Sequence, residues 1–189
     1  MKLNRLFATS ILLGSSVLVA QSAMAYGQGD VFFRADAVKT DMTANDKYDG
    51  ENTWSGAIGV MPFDQLGVEL SGTDKDTYTT NTGDSFEMAQ YSLMAQYYPL
   101  GGTDARVQPY AGLGATYFDF GDSSLLNGTR SFESKQWAPT AQAGVDLMIT
   151  DNWAVNGYAQ YSDLDVDYNQ GNERKLNPVT VGGGVSFRF

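Results

Sequence analysis

Four charged residues, Arg34, Glu69, Asp146 and Arg188, fall on the polar face of segments that otherwise alternate apolar and small side chains. Two are cationic and two anionic. Buried charges are tolerated only when paired. The set therefore reads as a salt-bridge cluster in which Arg34 or Arg188 reaches Glu69 or Asp146. A constriction that filters a small polar solute is the other chemistry open to the same four groups. Asp163, Asp165 and Asp167 alternate with Leu164 and Val166, and Asn169 follows. Strand spacing puts these carboxylates on one side, where oxygen ligands suit calcium. The spacing is not that of an EF-hand, and a solvated loop face is the plainer account, so no metal site is expected. The chain has no histidine, which removes the commonest general base and metal ligand. No serine sits in a nucleophile elbow. Neither an enzyme nor a cofactor is expected.

These residues need a scaffold, and the scaffold begins after a leader. Lys2 and Arg5 precede an apolar stretch from Leu6 to Ala20, and Ala23-Met24-Ala25 supplies small residues at −3 and −1 of a cleavage site. Residues 1–25 are expected to be a cleaved signal peptide and residues 26–189 a single domain. Loss of Lys2 and Arg5 would take the net charge from −10 to −12. So acidic a domain is not expected to bind nucleic acid through its phosphates. With no cysteine it carries no disulfide staples. A mean hydropathy of −0.28 and the lack of a long apolar run after Ala25 exclude a helical membrane protein. A membrane β-barrel is not excluded, because its strands need an apolar residue only at every second position.

Period-two alternation recurs through the rest of the chain. In the clearest run Trp137, Pro139, Ala141, Ala143, Val145, Leu147 and Ile149 share one face. Eight strands are expected, at about 30–39, 53–62, 66–74, 87–98, 107–119, 136–149, 153–164 and 178–189. Short connections alternate with long acidic ones at about 40–52, 75–86, 120–135 and 165–177. Short periplasmic turns and longer outer loops characterise outer-membrane barrels. Phe33, Trp54, Tyr91, Tyr97, Tyr117, Trp137, Trp153, Tyr161, Phe187 and Phe189 fall on the apolar face, many near strand ends where aromatic girdles meet the lipid interface. The architecture read from this pattern is all-β: an eight-stranded antiparallel up-and-down transmembrane β-barrel in the bacterial outer membrane.

Several segments resemble the OmpW family of small outer-membrane barrels. Gly29-Asp30-Val31-Phe32-Phe33-Arg34-Ala35 is similar to that family's opening strand, and Leu66-Gly67-Val68-Glu69-Leu70 to its third. Ala95-Gln96-Tyr97-Tyr98 and Gln108-Pro109-Tyr110-Ala111-Gly112-Leu113-Gly114 resemble the fourth and fifth. Ala143-Gly144-Val145-Asp146 with Asn152-Trp153-Ala154-Val155-Asn156 resembles the hairpin joining the sixth and seventh. Asn177-Pro178 and the closing Ser186-Phe187-Arg188-Phe189 resemble the last strand. The resemblance implies a monomeric barrel with a narrow passage for small hydrophobic molecules, lined from the third and seventh strands. The matching positions here are Ser71 and Gln160, both polar. Phe187 and Phe189 would form the terminal signal read by the barrel-assembly machinery.

An interior of eight strands is just wide enough for its own side chains. Ser71, Met94, Tyr110, Tyr158 and Gln160 are the expected passage lining, with inward glycines leaving room for the larger groups. Two functions remain open. One is a narrow channel for uptake of small apolar molecules. The other is a structural or surface-interaction barrel with a plugged core and no transport. The partners expected from location are the lipid bilayer and lipopolysaccharide. Pro139 cannot donate to a strand ladder, so it marks either a bulge at the lip or a gap in the wall.

Overall fold

The computed structural model describes residues 26–42, 52–79, 85–120, 135–168, 172–175 and 177–189. The expected leader lies outside them. The elements are β1 (Val31–Met42), β2 (Asn52–Phe63), β3 (Leu66–Thr73), β4 (Asp76–Thr79), β5 (Ser85–Tyr97), β6 (Val107–Phe120), β7 (Lys135–Met148), β8 (Trp153–Ser162), β9 (Asp165–Tyr168), β10 (Asn172–Lys175) and β11 (Pro178–Arg188). Each strand of the wall pairs antiparallel with its sequence neighbour, and β11 closes on β1. Both β3 and β4 pair with β5 and share one place in the wall, so the closed barrel is eight-stranded.

Two long connections hold more structure than their polar composition implied. Thr77-Tyr78-Thr79 are strand formers and continue the wall as β4 beyond Asp74-Lys75. In the segment expected as a 165–177 loop, Asp165–Tyr168 and Asn172–Lys175 form a separate two-stranded hairpin. Asp165 and Asp167 thus lie on β9. Asn169, the last of the residues with calcium-like spacing, lies outside the described residues.

The pairing fixes the barrel's geometry. Stepping across from Val31 leads through Val60, Val68, Ala95, Leu113, Ala141, Tyr161 and Val179 back to β1 at Asp41, ten residues further on. This offset is the stagger that tilted strands need in order to close. It also makes the height of each inward residue readable from its register.

Alternation sorts the faces cleanly. On β1, Phe32, Arg34, Asp36, Val38 and Thr40 are buried, while Phe33, Ala35 and Ala37 face out. Trp54, Leu113 and Trp137 are exposed by 71%, 72% and 69%. A continuous apolar belt of this kind would drive aggregation in water and is matched by lipid hydrocarbon. Inside, glycines face the bulkiest side chains. A Cβ at Gly59 would overlap the Phe32 ring, and one at Gly144 would overlap the Tyr110 ring.

Candidate functional site

The interior is the candidate site, and it is built in tiers. At the periplasmic base, residues 26–30 fold back under the barrel. Gly29 adopts φ +97° there, a conformation glycine takes at no steric cost. Its N–H donates to the Met61 carbonyl, and the Gly102 N–H donates to the Tyr26 carbonyl. Tyr26 is buried between Phe32 and Tyr98, with ring centroids 5.4 and 5.1 Å away. Its hydroxyl lies 3.3 Å from Ser186 Oγ. Desolvation by burial holds the Tyr26 hydroxyl above the ordinary phenol range.

Arg188 belongs to this base. Its guanidinium donates to Asp30 at 3.0 Å and to the Asp151 carbonyl at 2.7 Å, and it lies over the Tyr26 ring. Sequence spacing grouped Arg188 with Glu69 and Asp146. In the structure it is ion-paired with Asp30, which stands just before β1, at the first residue of the expected strand.

The next tier centres on Arg34, only 4% exposed. Nη2 donates to Asp146 and to the Tyr98 hydroxyl, both at 2.7 Å. Nη1 donates to the Tyr110 hydroxyl at 2.9 Å and lies 2.9 Å from Glu69 Oε2. The Glu69 contact is an ion pair without hydrogen-bond alignment, and Arg34 Nε and Asp146 Oδ1 also lack an aligned partner. The guanidinium stacks within 5.0 Å of the Phe32 and Tyr110 ring centres as well. One cation from β1 therefore gathers side chains from β3, β6, β7 and the end of β5. Asp36, just above on β1, accepts from Asn156 Nδ2 at 2.7 Å.

Polar tiers follow toward the outer side. The Tyr98 hydroxyl donates to Gln96, whose amide donates to Gln142 over the intervening Gly112. Above them runs a belt of hydroxyls. Ser92, Thr116, Thr140 and Ser162 are linked by contacts of 2.8 to 2.9 Å. Thr40 meets Thr180 at 2.8 Å and receives Gln90. At the top of the wall the inward residues turn apolar: Met88, Phe118, Ala138 and Leu164 are all buried.

The five residues expected to line a passage are distributed over these tiers. Tyr110 is held by Arg34. Met94 is fully buried, and Tyr158 is half-buried against the aromatic base. Gln160 is 7% exposed, and its amide is shared between Ser92 Oγ and Thr116 Oγ1, each at 3.3 Å. Ser71 is half-buried on β3. They stand at different heights, Tyr110 near the base and Gln160 in the hydroxyl belt. Tyr98 was legible by parity, being one residue past outward Tyr97. Tyr26 precedes the first strand, and no periodic signal reaches it; Asp30 shares the parity of Phe32 and Arg34, but its pairing with Arg188 is not local.

Pro139 sits at an asymmetry in the wall. On its β6 side the ladder runs unbroken past Ala115↔Pro139 to Asp119↔Lys135. On its β8 side the paired register ends at Thr140↔Ser162, closed by a bond from the Asp163 N–H to the Pro139 carbonyl. Backbone N–H and C=O of one strand residue point the same way, so the missing donor of Pro139 faces β8.

Comparison with known proteins places this geometry. The model described as "OmpW family" matches residues 24–189. Outer membrane protein W of Salmonella typhimurium is 29% identical over 96% of this chain and 98% of its own length. The Escherichia coli protein of the same name is 27% identical over the same shares. Among solved structures, OprG of Pseudomonas aeruginosa superposes with a TM-score of 0.70 at 22% identity, covering 87% of this chain and 98% of that one. The E. coli outer membrane protein W structure gives 0.58 at 21% identity, covering 86% and 99%.

Proposed function

The chain belongs to the OmpW family and is an outer-membrane β-barrel, and from that premise we propose that it admits small apolar molecules at its outer mouth and releases them sideways into the membrane. The observation that carries this reading is where the β7–β8 ladder stops. It ends at Thr140↔Ser162, at the foot of the apolar collar formed by Met88, Phe118, Ala138 and Leu164. Below that height the hydroxyl belt and the Arg34 network fill the lumen, so an axial route would need several buried hydrogen bonds to break at once. An apolar solute in the collar meets hydrocarbon through the seam without crossing a polar layer.

Chemistry at the ends completes the proposal. Residues 1–25 act as the leader that directs export. Phe187 and Phe189 serve as the terminal signal for the barrel-assembly machinery, and lipopolysaccharide surrounds the outer rim of a monomer.

The seam can be tested by stapling it, since the chain has no cysteine to interfere. Ala138→Cys with Leu164→Cys places thiols on β7 and just past β8, above the last paired register. In proteoliposomes the oxidised protein should lose uptake of a small apolar fluorophore and regain it on reduction, with no steady ionic conductance in either state. Uptake that persists in the oxidised protein would remove the lateral route. A second reading, a plugged structural or surface-interaction barrel, draws on the filled, hydrogen-bonded lumen. Absence of flux in the reduced protein would favour it.

A further inference from the structure

The lipid-facing wall is not uniform. On one side, Tyr91 of β5, Tyr117 of β6 and Trp137 of β7 stand side by side in register. Their ring centroids are 6.5 and 5.1 Å apart. One outward row nearer the periplasm come Leu70, Leu93, Ala115 and Pro139. Ala115 carries only a methyl there. Gly72, paired with Tyr91, carries no side chain, and the Tyr91 ring leans over it: a Cβ at Gly72 would stand 3.1 Å from that ring. The result is a groove of about 190 Å³ lined by Leu70, Tyr91, Leu93, Tyr117 and Trp137. Ser92 lies at its floor with its hydroxyl turned inward to Thr116. The adjoining wall differs. There Val155, Gly157 and Ala159 of β8 face Val185, Gly183 and Val181 of β11, a row of small and β-branched side chains with no aromatic ring.

We propose that this groove is a fixed binding site for one acyl chain of an outer-leaflet glycolipid of the lipopolysaccharide type. The wall lies in the outer membrane, so hydrocarbon is what covers it. Tyr117 and Trp137 lie within three residues of the outer ends of β6 and β7, which puts the groove in the outer half of the wall. Lipopolysaccharide is the characteristic lipid of that leaflet. Within a bilayer, tail and wall are equally apolar, so selective association comes from van der Waals fit. A concave strip between rigid aromatic rings supplies that fit, and the ring-free row Val155–Ala159 against Val181–Val185 does not. The site is independent of any solute route.

A photo-activatable amino acid in place of Leu93, compared with one in place of Val181, tests the assignment in intact outer membranes. Both positions are outward, Leu93 in the groove and Val181 in the ring-free row. Adducts with lipopolysaccharide at Leu93 should exceed those at Val181 by about tenfold, which corresponds to a preference of about 1.4 kcal/mol. Ala115→Leu, which fills the strip from its lipid-facing side, should bring the Leu93 yield down to the Val181 level. The heat-modifiable gel mobility of the folded barrel should stay unchanged. Equal yields at the two positions, or mainly phospholipid or protein adducts at Leu93, would overturn the proposal.

Discussion

The two halves of the lumen solve the same packing problem with different chemistry. The periplasmic half uses one multivalent centre: Arg34 is bonded or ion-paired to Tyr98, Tyr110, Glu69 and Asp146 at 2.7 to 2.9 Å. The outer half uses many small groups, with hydroxyls of Ser92, Thr116, Thr140 and Ser162 passing hydrogen bonds from strand to strand. A centre of the first kind fails together when one member goes, because the remaining buried charges lose their partner. A belt of the second kind degrades locally, because Ser92, Thr116 and Thr140 each have more than one partner. The difference fits a lumen that is sealed at its base and changes to apolar lining near its mouth.

The largest expected effect breaks the lower centre. Arg34→Met leaves Glu69 and Asp146 buried without a cation and should cost about 3–5 kcal/mol in urea-dependent unfolding of the refolded barrel. If replacing Glu69 and Asp146 by leucine as well recovers most of that stability, the centre specifies the arrangement more than it stabilises it. An intermediate effect comes from Gly59→Ala, whose added methyl overlaps the Phe32 ring. Overpacking of this kind should cost about 1–3 kcal/mol. Adding Phe32→Leu should relieve much of it, so that the double variant departs from additivity. The smallest effect sharpens the contrast from the other side. Thr116→Val removes a hydroxyl bonded to Ser92, Thr140 and Gln160, yet Ser92 retains Gln160 and Thr140 retains Ser162. A loss of about 1 kcal/mol is expected. A loss as large as that of Arg34→Met would show that the belt is also a single cooperative network.

Fold and strand parity were legible because a barrel wall repeats one rule. Every second residue meets lipid, and the Trp137–Ile149 run states that rule without a break. The strand ends agree with the expected ones within a few residues, from Val31 on β1 to Arg188 on β11. Sequence missed β4 and the β9–β10 hairpin, which carry too few residues for periodicity to outweigh a polar composition. Among the interior residues, a shared face followed from parity, and its inward direction from the leader-like start and the closing Phe189. Partnership was anticipated only for Arg34 with Glu69 or Asp146, and not for Arg188 with Asp30 or Gln160 with Ser92 and Thr116.

By itself, then, the sequence determined the class of fold and which side chains share a face, since alternation depends only on neighbours along a strand, while the leader-like start and the closing Phe189 turned the apolar face to lipid. Tertiary structure alone decided that Tyr26 returns to cap the base, that Arg34 takes both Glu69 and Asp146 at one centre, and that the β7–β8 seam ends beside Pro139. Those depend on the ten-residue stagger with which the sheet closes on itself. That stagger sets which residues of distant strands stand at the same height, and no local pattern in the sequence encodes it.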